Sequence, residues 1–130
     1  MLMTLMIQLK RVYDKTDITD GLRILVDRLW PRGVRRSTGN IDLWLKEVAP
    51  TNELRKWYAH DPKKWKRFKE RYKEELKDNQ AFDKLIDIAL VNDPITLLYS
   101  ASDRRHNNAV VLSSALKIRI SRLRARLQHW

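Results

Sequence analysis

The sequence predicts a small α/β domain, with a mostly parallel sheet flanked by helices and a long C-terminal helix. Three observations lead there. Short apolar runs recur at TLMIQLKRV, LRILVDR and ITLLY, the length and residue type of strands. Between the second and third, apolar residues return at spacings of three and four, the period of helices packed on one face. Strands separated by helices favour parallel pairing, because a parallel partner is reached through a crossover. No repeat, low-complexity tract or linker interrupts the chain, so residues 1–130 read as one domain.

Each element has its own signal. Leu5, Ile7 and Leu9 alternate along the first strand. Asp17 to Gly21 carries turn chemistry. Ile24, Leu25 and Val26 are consecutive, as in a strand covered on both faces. Ser37 to Asn40 reads as a flexible loop. IDLWLKEV sets Ile41, Leu43 and Leu45 against Asp42, Trp44 and Lys46, and it fits either a strand or a short helix. Thr51, with Glu53 and Leu54 behind it, starts a short helix through Trp57. Asp61 can cap a further helix with Pro62 in its first turn. There Trp65, Phe68, Tyr72 and Leu76 form one stripe, and Phe82, Leu85, Ile86 and Ala89 repeat it until Asp93-Pro94. After ITLLY comes the polar loop SASDRRHNN. A long helix then runs from about Asn107, with Leu112, Leu116, Ile120, Leu123 and Leu127 as its stripe.

Charge and composition narrow the chemistry. Lys and Arg number 27 against 16 Asp and Glu, a net charge of +11 that favours anionic partners. With no cysteine, disulfides, thiolate catalysis and Cys-ligated zinc are excluded, in keeping with a cytoplasmic location. MLMTLMIQLKR is interrupted by Thr4 and Gln8 and lacks a basic start and a small-residue cleavage site, so it does not read as a signal peptide. No 18-residue apolar run predicts a transmembrane helix. His60, His106 and His129 are widely spaced and no H-E-x-x-H occurs, so no metal is expected. No Walker or G-x-G-x-x-G pattern calls for a nucleotide, and no cofactor is assigned.

Open parallel sheets bind ligands beyond the carboxyl ends of their strands. Two apolar strands here stop in polar loops, VDR into LWPRG and LLY into SASDRRHNN. If these strands are neighbours, the loops face one crevice. Arg28 and Arg32 offer guanidinium forks for phosphate or carboxylate. Pro31 restrains Trp30, which can stack on a planar group, and Gly33 permits a turn. Ser100 adds a hydroxyl. A helix starting near Asn107 and Asn108 aims N–H groups into the same space. Asp103 and His106 are the candidate proton carriers if chemistry occurs. The competing reading makes Trp30 core, Pro31-Arg32-Gly33 a plain turn, Arg28 a partner of Asp27 or another carboxylate, and Asp103 or Asn107 a helix cap. Ser100 or Ser102 with His106 and Asp103 makes a poor triad, because all lie on one short loop.

The basic helices carry a second possibility. In KKWKRFKERYKEELK the aromatics share one face and read as core, with the cations solvated. KIRISRLRARLQHW holds basic residues and no acid. It can be the outer face of a docked helix, or it can bind nucleic acid weakly and without sequence preference, or an anionic membrane surface.

KRVYD, DGLRILVDRLWPRG, WLKEVAP, ELRKWYAHDP and LLYSASDRRHNNAVVL occur in that order over most of the chain. With these motifs the sequence resembles the domain of unknown function 488 (DUF488) family, in its short YeaO-like branch. The resemblance implies a cytoplasmic α/β protein and adds Lys46 and Pro50 as site residues. Other branches place cysteine at the end of the LLY-equivalent strand and a Cys-His-Arg run near the next helix. Those places here resemble Tyr99 and His106-Asn107-Asn108, so their thiol chemistry is not carried over. The reading that results is an anion-binding crevice for a small molecule, open as to catalysis and oligomeric state. The alternative is a basic, nucleic-acid-associated binding protein.

Overall fold

The computed structural model describes residues 5–128. Thr4, where the first strand was expected to start, and His129 lie outside them. Strands β1 (Ile7–Arg11), β2 (Leu22–Leu25), β3 (Leu43–Trp44) and β4 (Ile95–Tyr99) form one sheet in the order β1-β4-β2-β3. Every neighbouring pair is parallel. Helices α1 (Asn52–Tyr58), α2 (Trp65–Lys77) and α3 (Gln80–Val91) intervene between β3 and β4, and α4 (Asn108–Leu127) follows. The expected α/β class and long terminal helix are both present. Among the described residues, no helix is long and apolar enough to cross a membrane.

The strand composition explains the layering. All five residues of β4 are buried. Ile24 and Leu97 join the main core with α2, α3 and α4, whereas Leu25 and Leu98 point to a smaller cluster with Val12, Trp30 and Trp44. Alternation within a continuous apolar run therefore serves two faces at once. Before β2, Asp17 caps a 3-10 turn over Ile18–Asp20. Gly21 then takes φ +63°, and a Cβ there would lie 2.0 Å from the Pro94 carbonyl oxygen. Glycine allows both the turn and the close approach.

The ambiguous IDLWLKEV is a two-residue strand, Leu43–Trp44, followed by a 3-10 turn over Lys46–Val48. Thr51 caps α1, Asp61 caps the 3-10 turn Pro62–Lys64 that leads into α2, Asn79 caps α3 and Asn107 caps α4. Phe68, Tyr72 and Leu76 of α2 are buried, as the stripe required. Leu112, Leu116 and Ile120 of α4 are buried and Leu123 packs against the core. Leu127 does not: it is 71% exposed. The helix outruns the body it packs on, so its last turn has no apolar surface to cover.

Candidate functional site

Because β4 lies between β1 and β2 and all run the same way, the loops after β1, β2 and β4 leave at one end of the sheet. Between them lies a cleft of about 360 Å³. Arg28, Trp30, Pro31 and Arg32 line it from the β2 loop, Ser100 from the β4 loop, and Asn107 and Asn108 from the start of α4. The two polar loops thus meet, as the strand-end argument expected.

Asp27 sits where β2 enters the cleft. Its Oδ2 accepts from the Ser100 backbone N–H at 2.9 Å and the Ser100 hydroxyl at 2.7 Å. Its Oδ1 accepts from Asn108 Nδ2 at 3.1 Å. Burial pushes its carboxyl above the ordinary aspartate range, against the opposing pull of these donors and of His60.

Arg28 lines the cleft with its guanidinium committed to protein partners. Its Nε donates to the Pro50 carbonyl at 3.1 Å and its Nη2 to the Ala49 carbonyl at 3.0 Å, while Nη1 lies 3.3 Å from Glu47. It braces the segment before α1. The carboxylate it meets is Glu47, not Asp27. Arg32 is exposed at the cleft edge. Its loop is held by Tyr13, whose hydroxyl donates to the Arg32 carbonyl at 2.8 Å.

Trp30 is half-buried. Its Nε1 donates to the Val34 carbonyl at 2.7 Å, Trp44 meets it edge-on at 5.4 Å, and the Arg36 guanidinium lies 4.5 Å from its ring centre. It is both wall and core. Asn107 is buried as the cap of α4, accepting from Val110 N–H and donating to the Asp103 carbonyl.

Three of the expected residues lie outside the cleft lining. Lys46 extends over Trp44, 5.5 Å from its ring centre. Asp103 folds back on its own loop, accepting from the N–H groups of Arg105 and His106 and facing His106 Nδ1 at 2.9 Å. These contacts hold its carboxyl below the ordinary range. His106 in turn packs edge-on against Trp65 at 5.2 Å. The pair closes a turn, because a short loop satisfies its own polar groups before it can reach a ligand.

Other residues line the cleft that sequence reasoning had not assigned to it. Arg55 on α1 is the most informative. Its Nη2 makes a long 3.4 Å contact with Asn52 Oδ1, and its Nε is buried with no hydrogen-bond partner. Four residues after the cap Thr51, it falls on the same helix as the buried Leu54 and Tyr58, and that neighbourhood was its only sequence signal. His60 lines the cleft as well. It is carried there by two successive left-handed residues, Ala59 at φ 46° and His60 at φ 55°. Such backbone costs about 1–3 kcal/mol per residue and concentrates at functional sites. Tyr58 joins the wall, its hydroxyl donating to the His106 carbonyl at 3.0 Å. Among the described residues no group of His, Asp and Glu side chains is gathered as a metal ion requires.

The chain is similar to the uncharacterised protein YeaO of Escherichia coli, with 46% identity over 112 residues, 85% of this chain and 96% of that protein. It is also similar to the uncharacterised proteins Mb3100c of Mycobacterium bovis and Rv3073c of Mycobacterium tuberculosis. Each is 46% identical over 79 residues, 61% of this chain and 67% of theirs. No solved structure matches it. The model of a family described as the inactive DUF488-N3 subclade matches residues 6–128, which include both site loops, α1 and all of α4. With that span covered, the chain belongs to the inactive DUF488-N3 subclade of the DUF488 proteins.

Proposed function

We propose that this protein binds a small phosphate- or carboxylate-bearing molecule in the strand-end cleft, in the cytoplasm, and does not turn it over. The observation that carries the reading is Arg55 Nε, a buried guanidinium donor without a partner in the wall of the cleft. A donor so placed costs stability unless something accepts from it. Arg32 adds a second guanidinium at the rim and His60 a third basic group. Arg28, Asn108 and Ser100 support the site by holding its walls. Binding without turnover is favoured because Asp103 and His106, the proton carriers expected from the sequence, are engaged with each other outside the cleft lining. The description of the family as inactive favours it too.

Calorimetric titration of the protein with inorganic phosphate and with acetate tests the reading. Arg55→Gln should weaken binding by about tenfold, the equivalent of one charge-assisted hydrogen bond. Wild-type protein that binds neither anion, or a variant that binds as tightly as wild type, overturns it.

A second reading rests on a different surface. Lys73 and Lys77 of α2 and Arg119 and Arg122 of α4 border one shallow groove. That row of cations suits weak, salt-sensitive contact with a nucleic-acid backbone.

A further inference from the structure

The cleft contains two opposite charges that do not neutralise each other. Asp27 carries the negative one. Its oxygens are held by Ser100 and Asn108, which are neutral. Among the described residues it forms no ion pair. The adjacent guanidinium of Arg28, its natural counter-ion, is spent on Ala49, Pro50 and Glu47. Arg55 carries the positive charge, and among the described residues it too forms no ion pair. Both residues line the same space of about 360 Å³ without meeting across it.

A charge withdrawn from water without a partner is unfavourable, and removing the imbalance is a gain open to a ligand here. A plain anion satisfies Arg55 and brings a second negative charge toward Asp27. A molecule with a positive group at one end and a negative group at the other satisfies both. We infer, on the footing of the anion reading above, that the cleft selects zwitterions: ligands whose ammonium meets the Asp27 carboxylate while their phosphate or carboxylate meets Arg55. The volume fits such a molecule, since small-molecule sites begin at roughly 300 Å³.

The surroundings of Asp27 agree. Burial pushes its carboxyl upward, so an uncompensated negative charge is disfavoured there. The other titratable groups that act on it are His60, which lines the cleft, and Tyr72, whose hydroxyl is committed to the Val48 carbonyl at 2.7 Å. A ligand ammonium against Asp27 would hold it ionised. His60 draws the same carboxylate in the opposite direction to burial.

The test uses matched pairs that differ only in the amine: aminoethyl phosphate against ethyl phosphate, and γ-aminobutyrate against butyrate. Each is titrated into the full chain by calorimetry near neutral pH. The amine-bearing member should bind about tenfold or more tightly in at least one pair, as a charge-assisted contact in a partly buried site gives. In Asp27→Asn that preference should vanish. Equal affinity within both pairs for the wild-type protein overturns the inference and leaves the anion reading standing. Binding of no member of either pair overturns both. The comparison within wild-type protein holds even if the variant does not fold. A preference that survives in a folded Asp27→Asn also overturns the inference, because the amine would then be read elsewhere.

Discussion

Asn108, the first residue of α4, donates from Nδ2 to the Val26 carbonyl at 3.0 Å and to Asp27 Oδ1 at 3.1 Å. The terminal helix is therefore tied by its first side chain to the end of β2. Ser100 completes the tie from the end of β4. A carboxylate fixed this way in a half-buried position gives the protein a measurable dependence on pH.

Two aspartates should show opposite signs. Asp27 is raised above 3.8 by burial, so it holds a proton more tightly in the folded state than in the unfolded one. Its contribution is full below 3.8 and is lost as pH rises through the raised value. Asp14 is lowered to about 2, chiefly by Arg104, whose Nη1 and Nη2 reach it at 2.9 and 2.8 Å. Its contribution is present above 3.8 and is lost as pH falls through about 2. Urea unfolding as a function of pH, compared with Asp27→Asn and Asp14→Asn, should show the two slopes with opposite direction. Parallel curves for either variant and wild type would remove the corresponding assignment.

Arg28 and Arg32 should separate stability from binding. Arg28 serves two carbonyls and Glu47, so Arg28→Ala should destabilise by about 1–3 kcal/mol. Arg32 is exposed, so Arg32→Ala should alter stability by less than about 0.5 kcal/mol. It should weaken phosphate binding nonetheless. Thermal unfolding and titration of both variants check this, and a large stability loss for Arg32→Ala would mean that its role is structural.

Along α4, cost should follow burial and not hydrophobicity. Ile120 is 4% exposed and Leu127 is 71% exposed. Ile120→Ala should therefore cost about 2–5 kcal/mol. Leu127→Ala should stay within about 0.5 kcal/mol. Equal effects in chemical denaturation would mean that the last turn is packed in solution.

Any association with nucleic acid should be weak and indifferent to sequence, because the cations bordering the α2–α4 groove are solvated and no base-reading motif accompanies them. Retention on DNA should fall steeply between about 50 and 200 mM salt if several phosphates are contacted. A preferred sequence retained at the higher salt would contradict this.

What could be read from the residues depended on how local the signal was. Caps announced themselves: Thr51, Asp61 and Asn107 each stand where a side-chain oxygen meets the first free N–H groups. The place of the cleft followed from strand ends, since LRILV and ITLLY both stop at polar residues. The role of each arginine did not. Arg28 and Arg32 look alike in sequence, and only the path of Ala49-Pro50 beneath Arg28 decides which is occupied. Arg55 was hidden among the other cations of ELRKWYAHDP. That Asp103 and His106 lie outside the cleft lining was not legible, because a loop that satisfies itself has the same composition as one that binds.

The sheet order also bears on how the chain is made. The strand that joins β1 to β2 is β4, beginning at Ile95. On a ribosome the first two strands are exposed long before that partner exists, and β1 has no other neighbour in the sheet. Until Ile95–Tyr99 emerges, Ile7 and Ile24 are apolar strand residues with an open edge, a state prone to association with other chains. The cleft, whose walls come from both sides of that late strand, is then among the last features to form during synthesis.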